Sequence, residues 1–306
     1  MPHALRGVAH LPRDLGRLAR RGLRAIVGAD SDELAAKEAQ RIRETPIRPG
    51  SAQTLPGQLV VSLTSYPPRF PALDLTLRTL LSQDMRADAV VLWLAVGDAA
   101  LLPPLVTNLV QYGLMIRECE DAKSFNKLVP TLAAYPDAFI ITADDDTNYP
   151  PGWLGRFVSE YRSPDEILCQ NARRIVLGVD DRPAPYEQWR FIKRPESGPT
   201  VFPLGNSGIL YPPRSLSPET SNRAAFMDLC PHADDVWFFW MGARQGSTHR
   251  LIARQGRPTA WLGSASEVCL WDKNKDGGND RQIAALLAAY GMPHGRSSVA
   301  VTPPRT

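Results

Sequence analysis

Between residues 59 and 142 the chain switches hydrophobic period again and again, always in the same order. Leu59-Val60-Val61-Ser62-Leu63 is a short apolar run, and from Leu73 to Gln83 the leucines at 73, 77, 80 and 81 recur at helical spacing. Ala89–Val96 is a second apolar run, followed by a helical pattern over Leu101–Tyr112. Leu114–Arg117 is a third run, followed by a helical pattern over Phe125–Tyr135, and Ala138–Thr142 is a fourth. Short apolar strands that alternate with helices of about a dozen residues read as βαβ units on a mostly parallel sheet flanked by helices, an α/β fold. Ligands in such sheets bind outside the carboxyl ends of the strands.

The second half is less regular. Trp153–Tyr161 and Asp234–Ala243 have helical patterns, the latter apolar and aromatic enough to lie buried against the sheet. Ile167–Cys169 and Ile209–Tyr211 read as strands, and the proline-rich residues 180–203 as an extended loop. Residues 272–280 form a polar loop before a closing helix over Arg281–Tyr290, which Gly291 and Pro293 end. The expected organisation is an N-terminal helical extension and linker over 1–57, one α/β domain over 58–295 and a tail over 296–306. That domain divides into two halves, 58–150 and 151–295.

Within the extension, Arg13, Arg17, Arg20 and Arg24 recur at helical spacing, and Val8, Leu11, Leu15, Leu18 and Ile26 fall on the other face. A basic amphipathic helix over residues 5–28 suits an anionic membrane surface. No apolar run approaches the ~20 residues of a membrane span, and no secretory signal pattern is present. The expected location is therefore the cytoplasm, with peripheral contact to the inner face of the membrane through residues 5–28. The formal net charge of +3 is too small to indicate nucleic-acid binding. Clustered Lys and Arg interleaved with aromatics are not expected in the body of the chain. Four cysteines spread far apart, with no Cys-x-x-Cys pair, suggest neither a zinc site nor a disulfide framework.

The sharpest local feature is Asp144-Asp145-Asp146, which follows the fourth apolar run. Closely spaced carboxylates at a strand end are hard oxygen ligands for a divalent cation, Mn²⁺ or Mg²⁺, and for the phosphates that travel with it. In an extended segment alternate side chains share a face. Asp144 and Asp146 are therefore expected to share one ligand sphere, with Asp145 turned to a sugar or to the loop.

Other segments supply candidate partners. Lys123-Ser124-Phe125-Asn126-Lys127 places two lysines and an amide at a helix start, where Lys123, Asn126 and Lys127 could meet phosphates or a base. Thr64-Ser65-Tyr66-Pro67-Pro68-Arg69 follows the first strand and offers Thr64, Ser65, Tyr66 and Arg69 to a nucleoside. It has neither Gly-x-Gly-x-x-Gly nor Gly-Lys-Ser/Thr. In Leu204-Gly205-Asn206-Ser207-Gly208, the residues Asn206, Ser207 and Gly208 could approach a ligand closely. In His232-Ala233-Asp234-Asp235 the acids are either N-caps of the helix that follows or carboxylates beside a pocket, where one would act as general base, Asp235 before Asp234. Asn274–Asp280 and His294 could complete a metal shell or close over a substrate. His3, His10 and His249 show no partner spacing, and no Gly-x-Ser-x-Gly elbow signals a serine hydrolase.

From Leu59 to Tyr290 these pieces, in this order, resemble GT-A-fold glycosyltransferases, family-2-like enzymes of bacterial surface-polysaccharide synthesis. The residues that carry the likeness are Val60–Arg69, Lys123–Lys127, the aspartate triplet, Leu204–Tyr211 and His232–Trp240. The triplet is its specific part, matching the Asp-x-Asp signature. The resemblance implies a nucleotide-diphospho-sugar donor, linked to UDP or GDP, and a Mn²⁺ or Mg²⁺ held through Asp146 and Asp144. It also implies a glycan or lipid-linked acceptor and, for an inverting enzyme, Asp235 as base. The pair here is Asp234-Asp235 where related enzymes often have Glu-Asp. No Gln-x-x-Arg-Trp motif of processive synthases is present, so single addition is favoured. Two other classes remain open: a nucleotidylyltransferase or sugar-nucleotide phosphohydrolase, and a non-catalytic carbohydrate-binding protein.

Overall fold

A computed structural model describes residues 33–178, 180–254, 258–261, 274 and 276–293. The expected helix over 5–28, the tail over 296–306, Cys269 and His294 lie outside the described residues. The chain divides after Thr45 into two compact units. In the first, residues 33–44 are helical, with Glu33 and Lys37 one turn apart at 2.6 Å. The second begins at Pro46. Residues 46–57, expected to be a linker, belong to it: the strand Ser51–Ala52 pairs in parallel with Met85–Arg86, and Ile47 and Leu55 pack on the apolar core.

Eight strands form the central sheet, in the order Glu196–Ser197, Thr248–Leu251, Glu166–Cys169, Ile209–Tyr211, Phe139–Thr142, Leu59–Thr64, Ala89–Ala95, Leu114–Cys119. The last four are mutually parallel. Ile209–Tyr211 runs antiparallel to both neighbours, and Glu166–Cys169 pairs in parallel with Thr248–Leu251. Side chains alternate between two buried faces, as period two requires. Ile140, Ile167 and Ile209 join Phe125, Trp237 and Phe238 on one face. Ile141, Leu168 and Leu210 join Leu73, Leu77, Trp153 and Phe157 on the other. The helix Phe70–Leu81 covers this second face, and the helix Asp234–Gln245 covers the first.

Strand order decides where a ligand can sit. The chain enters the parallel block at Leu59–Thr64, winds outward to Leu114–Cys119, then crosses back to place Phe139–Thr142 on the other side of the first strand. That reversal is the topological switch point, where the loops after two adjacent strands diverge and leave a crevice. Thr64–Arg69 and Asp144–Asp146 are those two loops. Because Ile209 pairs with Thr142 in the antiparallel sense, residues 204–208 arrive at the same edge.

Several elements differ from the sequence expectation. Prolines 103 and 104 divide the pattern over 101–112 into a 3-10 turn Asp98–Leu101, a short helix Pro104–Thr107 and a 3-10 turn Asn108–Tyr112, since proline removes a helical N–H and restricts its predecessor. Pro130 has a similar effect: Lys123–Lys127 is a 3-10 turn and the α-helix restarts at Val129. Residues 180–203 are not a plain loop. Arg190–Phe191 and Val201–Pro203 flank Ala172–Arg174 in a three-stranded antiparallel sheet. The closing helix starts earlier than expected, at Gly278.

Gly208 is required by packing. Its φ is +90°, and a Cβ there would lie 2.6 Å from the Trp153 ring. Trp153 is fully buried and donates from Nε1 to the Ser207 carbonyl at 2.8 Å. Gly208→Ala is therefore expected to lower stability by about 1–3 kcal/mol, read as a lower urea midpoint with an unchanged denaturant slope. An unchanged midpoint would show that Trp153 can move aside.

Candidate active site

The loops at the switch point and the start of the helix Asp234–Gln245 line one cleft of about 740 Å³. Of the residues singled out from sequence, Thr64, Ser65, Tyr66, Arg69, Lys123, Asn126, Lys127, Asp144, Asp145, Asp146, Asn206, Asp234 and Asp235 line it, together with Asn274. Ser207 and Gly208 do not. They turn inward on Trp153, and their expected contact with a ligand is replaced by a packing role.

The triplet is bent rather than extended. Asp145 and Asp146 form a turn, so the alternation of an extended strand does not apply to them. Asp144, not Asp145, is the carboxylate set apart. Asp145 accepts from Ser65 Oγ at 2.6 Å and from Arg69 Nη1 at 3.2 Å, and Asp146 accepts from the same Arg69 nitrogen at 2.5 Å. The turn is held from below: Thr76 Oγ1 donates to the Asp145 carbonyl at 2.9 Å, and the Trp261 N–H donates to the Asp146 carbonyl at 2.9 Å. Burial pushes the Asp145 carboxyl up to about 6 against the opposing pull of Arg69 and Ser65.

Asp144 faces a second cation. Its Oδ1 lies 3.2 Å from Lys127 Nζ, which also lies 2.9 Å from Asp234 Oδ2. Burial works against the Lys127 charge, but Asp144, Asp234 and Asp235 outweigh it and hold the ammonium well above its ordinary pKa. The acids at 234 and 235 are not N-caps: the cap position is Ala233, without a side-chain capping bond, and both acids stand in the first helical turn. Asp235 Oδ2 accepts the Gly205 N–H at 3.0 Å. Desolvation, then the neighbouring Asp234 charge, raise the Asp235 carboxyl from 3.8 to about 7, only partly offset by Lys127.

Sequence reading passed over Gly205 although it stands inside the 204–208 segment. A Cβ there would sit 2.8 Å from Asp235 Oδ1 and 3.0 Å from Lys127 Nζ, so only glycine lets the two charged groups close over this backbone. Also missed were Arg173, Tyr186, Phe191 and Phe202, which line the far end of the cleft. No local signal marks them, because strand pairing alone brings 173, 191 and 202 side by side.

The charge balance bears on a metal. Seven aspartates and four Lys or Arg residues line the cleft. An anionic nucleotide would meet this excess negative charge unless a cation came with it. Among the described residues no three His, Cys, Asp or Glu side chains gather as a ready cage. Asp144 and Asp146 are the more exposed of the triplet carboxylates, at 29% and 27%. Hard oxygen donors in this number fit a divalent cation that keeps water and phosphate in its shell, as Mg²⁺ does.

No protein-family model matches the chain, and no curated protein does. Among solved structures it is similar to the inositol-1-phosphate CTP transferase of T. maritima, at 9% identity over 80% of this chain and 100% of that one, with a TM-score of 0.42. It is also similar to the mannosyltransferase PcManGT of Pyrobaculum calidifontis in complex with GDP-Man and Mn²⁺, at 15% identity over 87% and 84%, TM-score 0.36. A third is a CMP:2-keto-3-deoxy-manno-octonic acid synthetase complexed with CTP, at 12% identity over 70% and 95%, TM-score 0.36. Likenesses this distant carry no argument about activity. No helix among the described residues is long and apolar enough to cross a membrane.

Removing one partner of a buried ion pair leaves an uncompensated charge. Lys127→Met is expected to cost about 3–5 kcal/mol at pH 8 and less at pH 5, where the raised carboxyls can take up protons. The sign follows from Asp235: the folded form holds a proton between about pH 4 and 7 that the unfolded form has released, so its contribution to stability falls as pH rises. Urea unfolding at both pH values checks this, and equal losses would refute the cluster.

Proposed function

We propose that this chain is a glycosyltransferase that moves a sugar from a nucleotide-diphospho-sugar to an acceptor hydroxyl with inversion. The observation that carries this reading is Asp235. It stands on the first turn of a rigid helix, opens on to the same cleft as the aspartate triplet, and has a carboxyl raised to about 7. A general base works best with a pKa near the operating pH.

In this reading the nucleoside lies in the crevice between Thr64–Arg69 and Lys123–Lys127, with its diphosphate toward Asp144 and Asp146. A Mn²⁺ or Mg²⁺ held by these two carboxylates would offset the negative charge that builds on the leaving diphosphate. Arg69 holds Asp145 and Asp146 in place. Lys127 pairs with Asp234 and orients it beside the base. The acceptor hydroxyl attacks the anomeric carbon from the Asp235 side, its proton passes to that carboxylate, and the bond from the anomeric carbon to the diphosphate oxygen breaks. The Gly205 N–H fixes one Asp235 oxygen and leaves the other for the proton. The acceptor occupies the end of the cleft lined by Tyr186, Phe191 and Phe202. Peripheral membrane contact through the basic residues 5–28 and a role in surface-polysaccharide synthesis are part of this proposal.

Two sets of experiments test it. Thermal shift with nucleoside diphosphates and Mn²⁺ should show one base stabilising the protein by mass action, and Asp146→Ala should abolish turnover with the fold intact. Release of a nucleoside diphosphate from a nucleotide sugar, rather than of pyrophosphate from a nucleoside triphosphate, separates this reading from a nucleotidylyltransferase. The second set rests on a pH profile. kcat/KM should rise with pH along a limb centred near 7 as Asp235 deprotonates, and Asp235→Asn should lower it roughly 10²–10⁴-fold. Full activity in either variant overturns the assignment.

A further inference from the structure

Next to the acidic cleft lies a smaller cavity of opposite charge. It measures about 320 Å³ and is lined by Arg174, Arg190, Lys193, Arg194 and a single acid, Glu196, with Phe191 between. Phe191 also lines the main cleft, so the two cavities meet at its ring. The sequence expectation of no basic, aromatic-interleaved cluster in the body fails here: Trp189-Arg190-Phe191-Ile192-Lys193-Arg194 is one, and strand pairing sets it beside Arg173-Arg174.

The arrangement is costly without a counter-charge. Arg190 and Arg174 are direct cross-strand partners, and like charges placed opposite each other destabilise a sheet. Glu196 pairs with Arg174 alone. Among the described residues no acid pairs with Arg190, Lys193 or Arg194 within ion-pair distance. One register position along, and so on the opposite face of the strand, Arg173 lines the main cleft on the far side of Phe191, 4.8 Å from the centroid of Tyr186 and 4.5 Å from that of Phe191. It donates to the carbonyls of Tyr186 and Trp189, and its buried Nε has no partner. A fixed guanidinium, two aromatic rings and a concave basic wall together suit a ring-shaped ligand that carries negative charge.

We propose that this cavity and Arg173 form an acceptor subsite for an anionic saccharide, one bearing carboxylate or phosphate, whose reacting end extends past Phe191 toward Asp235. The proposal rests on the glycosyltransferase reading of the cleft. A concave pocket with exposed Phe191 favours a sugar chain over a flat membrane. One basic pocket beside an acidic cleft is also too little to track a nucleic-acid backbone.

The test is metal-free calorimetry with the full chain, using a galacturonate trimer and mannose 6-phosphate as anionic probes and maltotriose as the neutral one. At least one anionic probe should bind tenfold or more tightly than maltotriose. The triple variant Arg190→Gln, Lys193→Gln, Arg194→Gln should lose tenfold or more of that affinity, with its circular dichroism unchanged. Equal binding of all three probes, or undiminished binding by the variant, overturns the proposal. So does binding to phosphatidylglycerol vesicles, or to a single-stranded oligonucleotide, with none to the anionic sugars. Nucleoside diphosphate binding with Mn²⁺, measured on the same samples, reads the donor site separately. Its loss in wild type would sink the glycosyltransferase reading while leaving the anionic subsite standing.

Discussion

Lys127 holds the two halves of the cleft together. Its ammonium touches Asp144 after the fourth parallel strand and Asp234 at the start of a helix more than a hundred residues later. Lys127 and Asp234 are nearly buried while Asp144 reaches the cleft at 29% exposure, and a buried charge is tolerable only when it is paired. The pairing explains the local structure around it. The 3-10 turn at 123–127 delivers the lysine, Gly205 leaves room for it beside Asp235, and the helix Asp234–Gln245 carries two acids in its first turn with no side-chain cap before them. Arg69 does the same work for Asp145 and Asp146 at the other wall.

This economy of charge also shapes the surface presented to substrates. The cleft is acidic, so an anionic donor fits only with a cation, and the carboxylates that would hold it are the exposed members of the triplet. Past Phe191 the sign reverses. An acidic cleft beside a basic pocket offers two unlike ends to one elongated ligand, a contrast that sets direction as well as affinity.

Much of the architecture was legible from periodicity. The four parallel strands fall where the apolar runs place them: the three inner ones are buried on both faces and so mostly apolar, and the edge strand Leu114–Cys119 opens on an apolar run before Arg117 and Glu118. The helices were less faithful wherever proline intervened, at 103, 104 and 130. The region 180–203 escaped because its strands are two or three residues long, too short for any period to show. The triplet was visible as chemistry but misread as geometry. A strand pattern was carried two residues too far, into a turn that Thr76 and Trp261 hold.

By itself the sequence determined the fold class and the loops and carboxylates that gather at one edge of the sheet, since these depend on residue type and on neighbours close in the chain. Tertiary structure alone decided which carboxylate stands with which cation, that Gly205 rather than Gly208 faces Asp235, and that Arg174 and Arg190 meet in a second pocket. Those facts rest on pairings across 16 to 107 residues, and strand order rather than local pattern brings such partners together.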